Sequence, residues 1–354
     1  MSLPSVLVIG VGSIGERHTR CFLKTGRAEV SVVEINASLR QAVAERYQVA
    51  QFESLDHALR NPPQIAVVCT PAPFHIPITT QLLNAGVHVL VEKPLSTSDD
   101  GIDGLEQLAA ARGLTVSVAY VYRAFPELNA ARELLHSGQF GPPLQVTVVG
   151  GQHFPTYRPA YREIYYARHS MGGGAIQDAI THLLNLGEWL VGPIRKLVCD
   201  AAHQSLPGVE VEDTVHLLAR HVACPTAWSN TDPAPPAGAS ILASYAINQY
   251  QAPNEISVQV VCARGTVRCE LHRQRLMWMS QLGAEWEYRD FGPRDRDDVY
   301  IAQAQAFLDA VAGIRPPACT LAEGRQTLGV NLAALRSAAS GRWEDVMVDV
   351  QRPQ

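Results

Sequence analysis

Up to Tyr120 the chain alternates short, continuous apolar runs with segments of helical period. The runs 6–9, 29–34, 65–69, 87–91 and 115–119 predict strands. The segments 14–25, 37–47, 74–85 and 99–111 predict helices, the last two closed by Gly86 and Gly113. Unbroken apolar strands are those buried on both faces, as in a parallel sheet. Repeated strand–helix units of this kind build a doubly wound α/β domain.

Beyond Tyr120 the pattern changes. Helices are predicted over 126–137 and 175–190, the second entered through Gly172, Gly173 and Gly174, and a strand over 144–151. From about 195 to 290 β-type segments follow one another, with Arg264 and Gly265 as a hairpin turn between 256–263 and 266–271. A second α/β domain with a large, mainly antiparallel open sheet is expected. The segments 300–312 and 321–339 read as closing helices. Pro225, Pro233, Pro235 and Pro236 mark 224–240 as a loop or frayed edge strand. A chain of 354 residues exceeds what one core usually serves, so two domains are expected, 1–121 and 122–354.

Composition narrows the class. Apolar residues make up 47% and charged residues 18%, which is globular rather than disordered. A net charge of −5 with no basic tract gives no footprint for nucleic acid. The seven cysteines are odd in number and show no CxxC spacing, so neither a disulfide framework nor a metal site is expected. Scattered reduced thiols fit a cytoplasmic protein. No signal peptide is expected, and no apolar run is long enough to cross a bilayer.

Gly10, Gly12 and Gly15 fit GxGxxG between a predicted strand and a predicted helix, and Glu34 closes the second strand. Gly10 permits the tight turn, Gly12 lets backbone approach a pyrophosphate, and Gly15 lets helix pack on strand. The helix start, with Ser13 and Ile14, offers N–H groups to phosphates. A carboxylate at Glu34 accepts ribose hydroxyls and repels a 2′-phosphate, which favours NAD, while Arg40 nearby leaves NADP open.

Lys93, in Glu92-Lys93-Pro94, directly follows the strand 87–91, whose carboxyl end faces the ligand crevice of such a sheet. An ammonium there can stabilise a developing alkoxide. Asp178 and His182 lie four apart on one predicted helix face. A carboxylate fixes the tautomer of its neighbouring imidazole, which suits removal of a hydroxyl proton. A solvated lysine and an ordinary helix pair are the structural alternatives, and the position after the strand and the three glycines weigh against them. Thr70, Pro71 and His75 are expected at the cofactor. Arg123 and the Tyr/Arg-rich segment 157–169, including Tyr165 and Arg168, suit a polyhydroxylated ligand or a subunit interface. Glu210, Glu212 and Asp213 read as a solvated turn, and Trp228, Trp278 and Trp286 as packing residues.

With these motifs in this order, the chain resembles the Gfo/Idh/MocA oxidoreductases over nearly its whole length. The resemblance implies a Rossmann domain followed by a substrate-binding α/β domain whose open sheet forms the contact of a homodimer or homotetramer. It implies hydride transfer between a nicotinamide and a secondary hydroxyl of a sugar, inositol or related polyol. Lys93 would orient the hydroxyl, beside a Lys93–Pro94 bond often cis in the family. His182 would be the base, Asp178 its partner or a substrate ligand, and Glu92 would lie by the cofactor. Ile180 and Asn185 depart from the Gly and Asp common in members, which affects helix packing or a substrate contact. Two further readings stay open: a nucleotide-binding regulator without turnover, and an enzyme that recycles a tightly bound NAD.

Overall fold

The computed structural model describes residues 3–222 and 240–346; Trp228 and the proline-rich stretch, apart from Ser240, lie outside them. The chain divides into two compact units, Met1–Ala124 with Arg294–Arg325, and Phe125–Pro293 with Gln326–Gln354. Among the described residues no helix is long and apolar enough to cross a membrane.

The first unit runs β1 (Ser5–Ile9), α1 (Ser13–Lys24), β2 (Glu29–Val33), α2 (Ala37–Tyr47), β3 (Ala50–Phe52), α3 (Leu55–Ala58), β4 (Ile65–Val68), α4 (His75–Asn84), β5 (His88–Val91), α5 (Ile102–Arg112) and β6 (Val116–Val118). Its strands pair in parallel in the order β3-β2-β1-β4-β5-β6. This is the expected doubly wound sheet, and its core is built from the apolar runs: Val6, Val8, Ile65, Val67 and Leu90 are all but inaccessible. Strand β3 and helix α3 were not expected, because Ala50 and Gln51 are exposed and carry no apolar pattern.

The second unit contains α6 (Pro126–His136), β7 (Pro143–Gly151), α7 (Phe154–Tyr157), a π-helical turn over Ala175–Ile180 that continues as α8 (Thr181–Val191), and β8 (Ile194–Ala202) to β14 (Glu287–Asp290). Between these last two come β9 (Thr214–His221), β10 (Ile241–Asn248), β11 (Glu255–Cys262), β12 (Gly265–Glu270) and β13 (Arg275–Met279). Helix α9 (Arg296–Val311) then belongs to the first unit, α10 (Leu321–Ser340) runs through the unit boundary, and β15 (Glu344–Asp345) ends the described chain. The nine-stranded sheet has the order β14-β13-β12-β11-β7-β10-β9-β8-β15. Only β7 and β10 pair in parallel, so the sheet is mainly antiparallel, as expected. Alternate residues of β9 are buried, the mark of a sheet covered on one face.

Beneath α8 that covered face holds one polar pair. His221 Nδ1 lies 2.6 Å from the carbonyl oxygen of Gly192, which can only accept, so Nε2 receives the Tyr245 hydroxyl at 2.8 Å. Gly187 leaves room for that hydroxyl: a Cβ there would lie 1.8 Å from it. Burial pulls the His221 pKa from 6.5 down to about 4, against the Gly192 bond. Between those two values the unfolded state binds more protons than the folded one, so stability falls as pH drops through that window. His221→Gln should remove up to about 1.4 kcal/mol per pH unit of this slope. Urea unfolding at pH 6.5 and 4.5 checks it, and an equal loss in variant and parent contradicts it.

Candidate functional site

In the first unit the strand order reverses between β1 and β4, which opens a crevice at their carboxyl ends. In the glycine turn there two positions are constrained and one is open. Gly10 adopts a φ of +81°, and a Cβ on Gly15 would lie 1.8 Å from the Gly10 carbonyl oxygen. Gly12 is exposed, and a Cβ there would meet nothing within 4 Å. Helix α1 begins at Ser13 with no side chain capping it, so its first N–H groups, from exposed Ser13 and half-buried Ile14 onward, remain available to an anion.

Glu34 is held against this turn. Its carboxylate accepts the Val11 N–H at 3.0 Å and the Asn36 N–H at 2.9 Å, and Arg40 donates to its carbonyl oxygen at 2.7 Å. A carboxylate has lone pairs to spare for two ribose hydroxyls. The buried Thr70 hydroxyl, just past β4 and before Pro71, has no hydrogen-bond partner among the described residues. Open backbone, a fixed carboxylate and an unsatisfied hydroxyl together fit NAD.

Past β5, Glu92 is buried with both oxygens engaged. Oε2 accepts the Lys93 N–H at 3.0 Å, and Oε1 meets His18 Nε2 at 2.7 Å. Burial alone would raise the Glu92 pKa, but His18 and Lys93 hold it below the usual carboxylate range. The Lys93–Pro94 bond is cis, and Lys93 is half-buried. His75 is buried with Nε2 2.7 Å from the Thr70 carbonyl oxygen and Nδ1 3.0 Å from that of Pro94. Burial pulls its pKa down, and the neutral ring has one N–H to give to one of these two carbonyls. Arg123 is buried as well, donating to Glu323 and to the Ala318 carbonyl oxygen.

In the second unit Asp178 lies in the π turn and His182 in the first turn of α8. Turns of this kind are rare and recur at functional sites. The Tyr165 hydroxyl donates to Asp178 Oδ1 at 2.7 Å. Asp178 is buried, Tyr165 and His182 half-buried, and Arg168 exposed. Tyr161 and Tyr166 of this segment are packing residues in a small core with Phe154, Leu206, Val209 and Val211, and Tyr157 is exposed.

Glu212 and Asp213 are not a solvated turn: both are buried, and only Glu210 is exposed. Glu212 accepts the Ile176 N–H at 2.8 Å and pairs with His169, whose pKa that bond raises. Burial opposes the charge of Asp213, but four hydrogen bonds, from Gln204, Ser205, Leu206 and Thr214, keep its pKa low. Two of the three glycines, Gly173 and Gly174, do bring backbone into close approach, but to protein. A Cβ on Gly174 would lie 2.6 Å from Glu212 Oε1, and one on Gly173 would lie 2.2 Å from the Tyr166 carbonyl oxygen. The departures at 180 and 185 are packing features: Ile180 is in the core, and buried Asn185 donates to Thr327 at 2.9 Å.

Sequence reading missed His18 and the Tyr165–Asp178 bond. His18 sits on the buried face of α1, but its partner is 74 residues away.

Residues 5–120 match the profile of an oxidoreductase family with an NAD-binding Rossmann fold, and residues 128–268 match the GFO/IDH/MocA C-terminal domain. The chain is 25% identical to UDP-N-acetylglucosamine 3-dehydrogenase of Acidithiobacillus ferrooxidans, covering 92% of this chain and 94% of that one. It is 30% identical to inositol 2-dehydrogenase of Corynebacterium glutamicum over 52% of this chain and 53% of that one. The fold is shared with levoglucosan dehydrogenase in complex with NADH and levoglucosan, at a TM-score of 0.84 and 19% identity, covering 98% of this chain and 100% of that one.

The glycines give a paired test. Gly15→Ala forces a side chain into backbone and should cost about 1–3 kcal/mol or more of stability. Gly12→Ala should fold like the parent yet weaken NADH binding, since its methyl fills the open space. Thermal melts and NADH fluorescence titration check both; a normal NADH affinity in Gly12→Ala contradicts the placement.

Proposed function

The chain belongs to the Gfo/Idh/MocA oxidoreductase family, and on that premise we propose that it is an NAD-dependent dehydrogenase acting on a secondary hydroxyl of a sugar, inositol or related polyol. The observation that carries the reading is the placement of Lys93, directly after β5 at the carboxyl end of an NAD-binding sheet, with its backbone N–H fixed by Glu92. The names of the similar proteins support the substrate class.

The backbone of Gly12, Ser13 and Ile14 holds the pyrophosphate, Glu34 the ribose, and the segment from Thr70 and Pro71 to Glu92 the nicotinamide half. Glu34 repels a 2′-phosphate and so selects NAD over NADP. Bound NAD supplies a hydride acceptor. His182 serves as a base for a hydroxyl proton, and the Lys93 ammonium as a hydrogen-bond donor to a developing alkoxide. Asp178, held by Tyr165, stabilises the imidazolium that results. Exposed Arg168 meets polar groups of the substrate. Arg123 acts from behind, since its guanidinium is committed to Glu323 and Ala318. A regulator without turnover has no need of this acid/base set.

The face of the nine-stranded sheet that bears Val149, Leu218 and Leu242 exposes them by 45%, 53% and 52%. An apolar sheet face of this kind suits a self-complementary contact, and we assign it to a homodimer or homotetramer.

Lys93→Met and His182→Asn should each lower turnover by at least ~10²-fold while NADH affinity stays near that of the parent. NADH formation with cyclic polyols, sugar acids and nucleotide sugars measures it. Parental turnover in either variant contradicts the assignment.

A further inference from the structure

We propose that His18 and His75 are positioning residues for Lys93, two buried imidazoles that fix its backbone from either side along the chain, His18 through the Glu92 carboxylate and His75 through the Pro94 carbonyl. The proposal rests on the reading of Lys93 as the group that meets the substrate oxygen.

A lysine ends in a point charge on a flexible four-carbon stem. Where that charge goes depends first on how well its backbone is held. Ahead of the side chain, the Lys93 N–H is bound to Glu92, and Glu92 is bound to His18. His18 is wholly buried on α1, the helix that starts at the glycine turn, with its ring against Tyr300 at 5.8 Å and Phe22 at 6.4 Å. After the side chain, His75 Nδ1 lies 3.0 Å from the Pro94 carbonyl oxygen and Nε2 2.7 Å from that of Thr70; the neutral ring has one N–H, so it donates to one of the two and packs against the other. The two elements that carry the cofactor turns, α1 and the segment after β4, thus each reach the Lys93 segment through one buried imidazole.

Burying two imidazoles and a carboxylate costs free energy that an apolar core avoids. An arrangement that only had to hold the fold together has no use for them. What the polar groups add is direction, because each hydrogen bond fixes one peptide group of the lysine segment in angle as well as distance. The spacing between the NAD-binding backbone and the ammonium is then set by these two rings.

The composition of the chain makes the test clean. It has three lysines, Lys24, Lys93 and Lys196. Lys24 pairs with Asp297 at 3.2 Å and Lys196 with Asp345 at 3.7 Å, and neither touches the Lys93 segment. Acylation of the full-length protein by trace acetic anhydride at several pH values, read peptide by peptide by mass spectrometry, reports each amine separately. In His18→Leu and in His75→Leu the Lys93 rate should change by about threefold or more, with Lys24 and Lys196 unchanged. His75→Gln, which keeps one donor, should fall between parent and His75→Leu. An unchanged Lys93 rate in both leucine variants overturns the proposal, and so does an equal change at all three lysines, which marks a loosened fold. Either leucine variant alone suffices if the other does not fold. The labelling needs no substrate, so it is judged apart from the turnover of Lys93→Met, which tests the role of the lysine itself.

Discussion

Glu92 sits at the end of β5, buried, with each carboxylate oxygen committed to a different element. A buried carboxylate is tolerated only when its charge is met, and here His18 and the Lys93 backbone meet it. Its pKa accordingly stays below the ordinary range despite burial. Much of the first unit's chemistry depends on this group. It joins the helix that begins at the glycine turn to the peptide that carries Lys93, while His75 makes the corresponding join from the turn after β4. The parallel sheet supplies the coarse placement, since its strand order reverses at β1 and β4. The buried polar groups supply the fine one.

The second unit uses the same device at a helix end. Glu212 occupies the space that Gly174 leaves by lacking a side chain and takes the Ile176 N–H at the start of the π turn. A negative charge at a helix N-terminus is favourable. It also fixes the start of the segment that carries Asp178 and His182. Tyr165 then holds Asp178 from the side, and the small aromatic core around Tyr161 and Tyr166 holds the segment that bears Tyr165. Asp178 is therefore oriented by its neighbours.

Much of this was legible in the chain. Strands buried on both faces read as apolar runs, so the first sheet emerged almost complete, short of β3, whose exposed Ala50 and Gln51 carry no pattern. The positions of the glycine turn, Glu34 and Lys93 in the fold were legible because each stands at a fixed offset from a strand end. What spacing does not encode is long-range pairing. Two of the three glycines make a close approach, but Glu212, the partner of Gly174, lies 36 residues from the amide it accepts. Glu212 and Asp213 themselves read as solvated because charged residues usually are, and only the backbone donors around them make burial tolerable. Asn185 was ambiguous for the same reason: its polar partner, Thr327, comes from α10.

In the proposed reaction the carbinol hydrogen passes directly as hydride to NAD. The direct measurement is the fate of deuterium placed on the reacting carbon of an alcohol that the protein oxidises. Direct transfer slows NADH formation and leaves the deuterium at C4 of the reduced nicotinamide. Deuterium released to water, or bound NAD that no polyol, sugar acid or nucleotide sugar reduces, would contradict it.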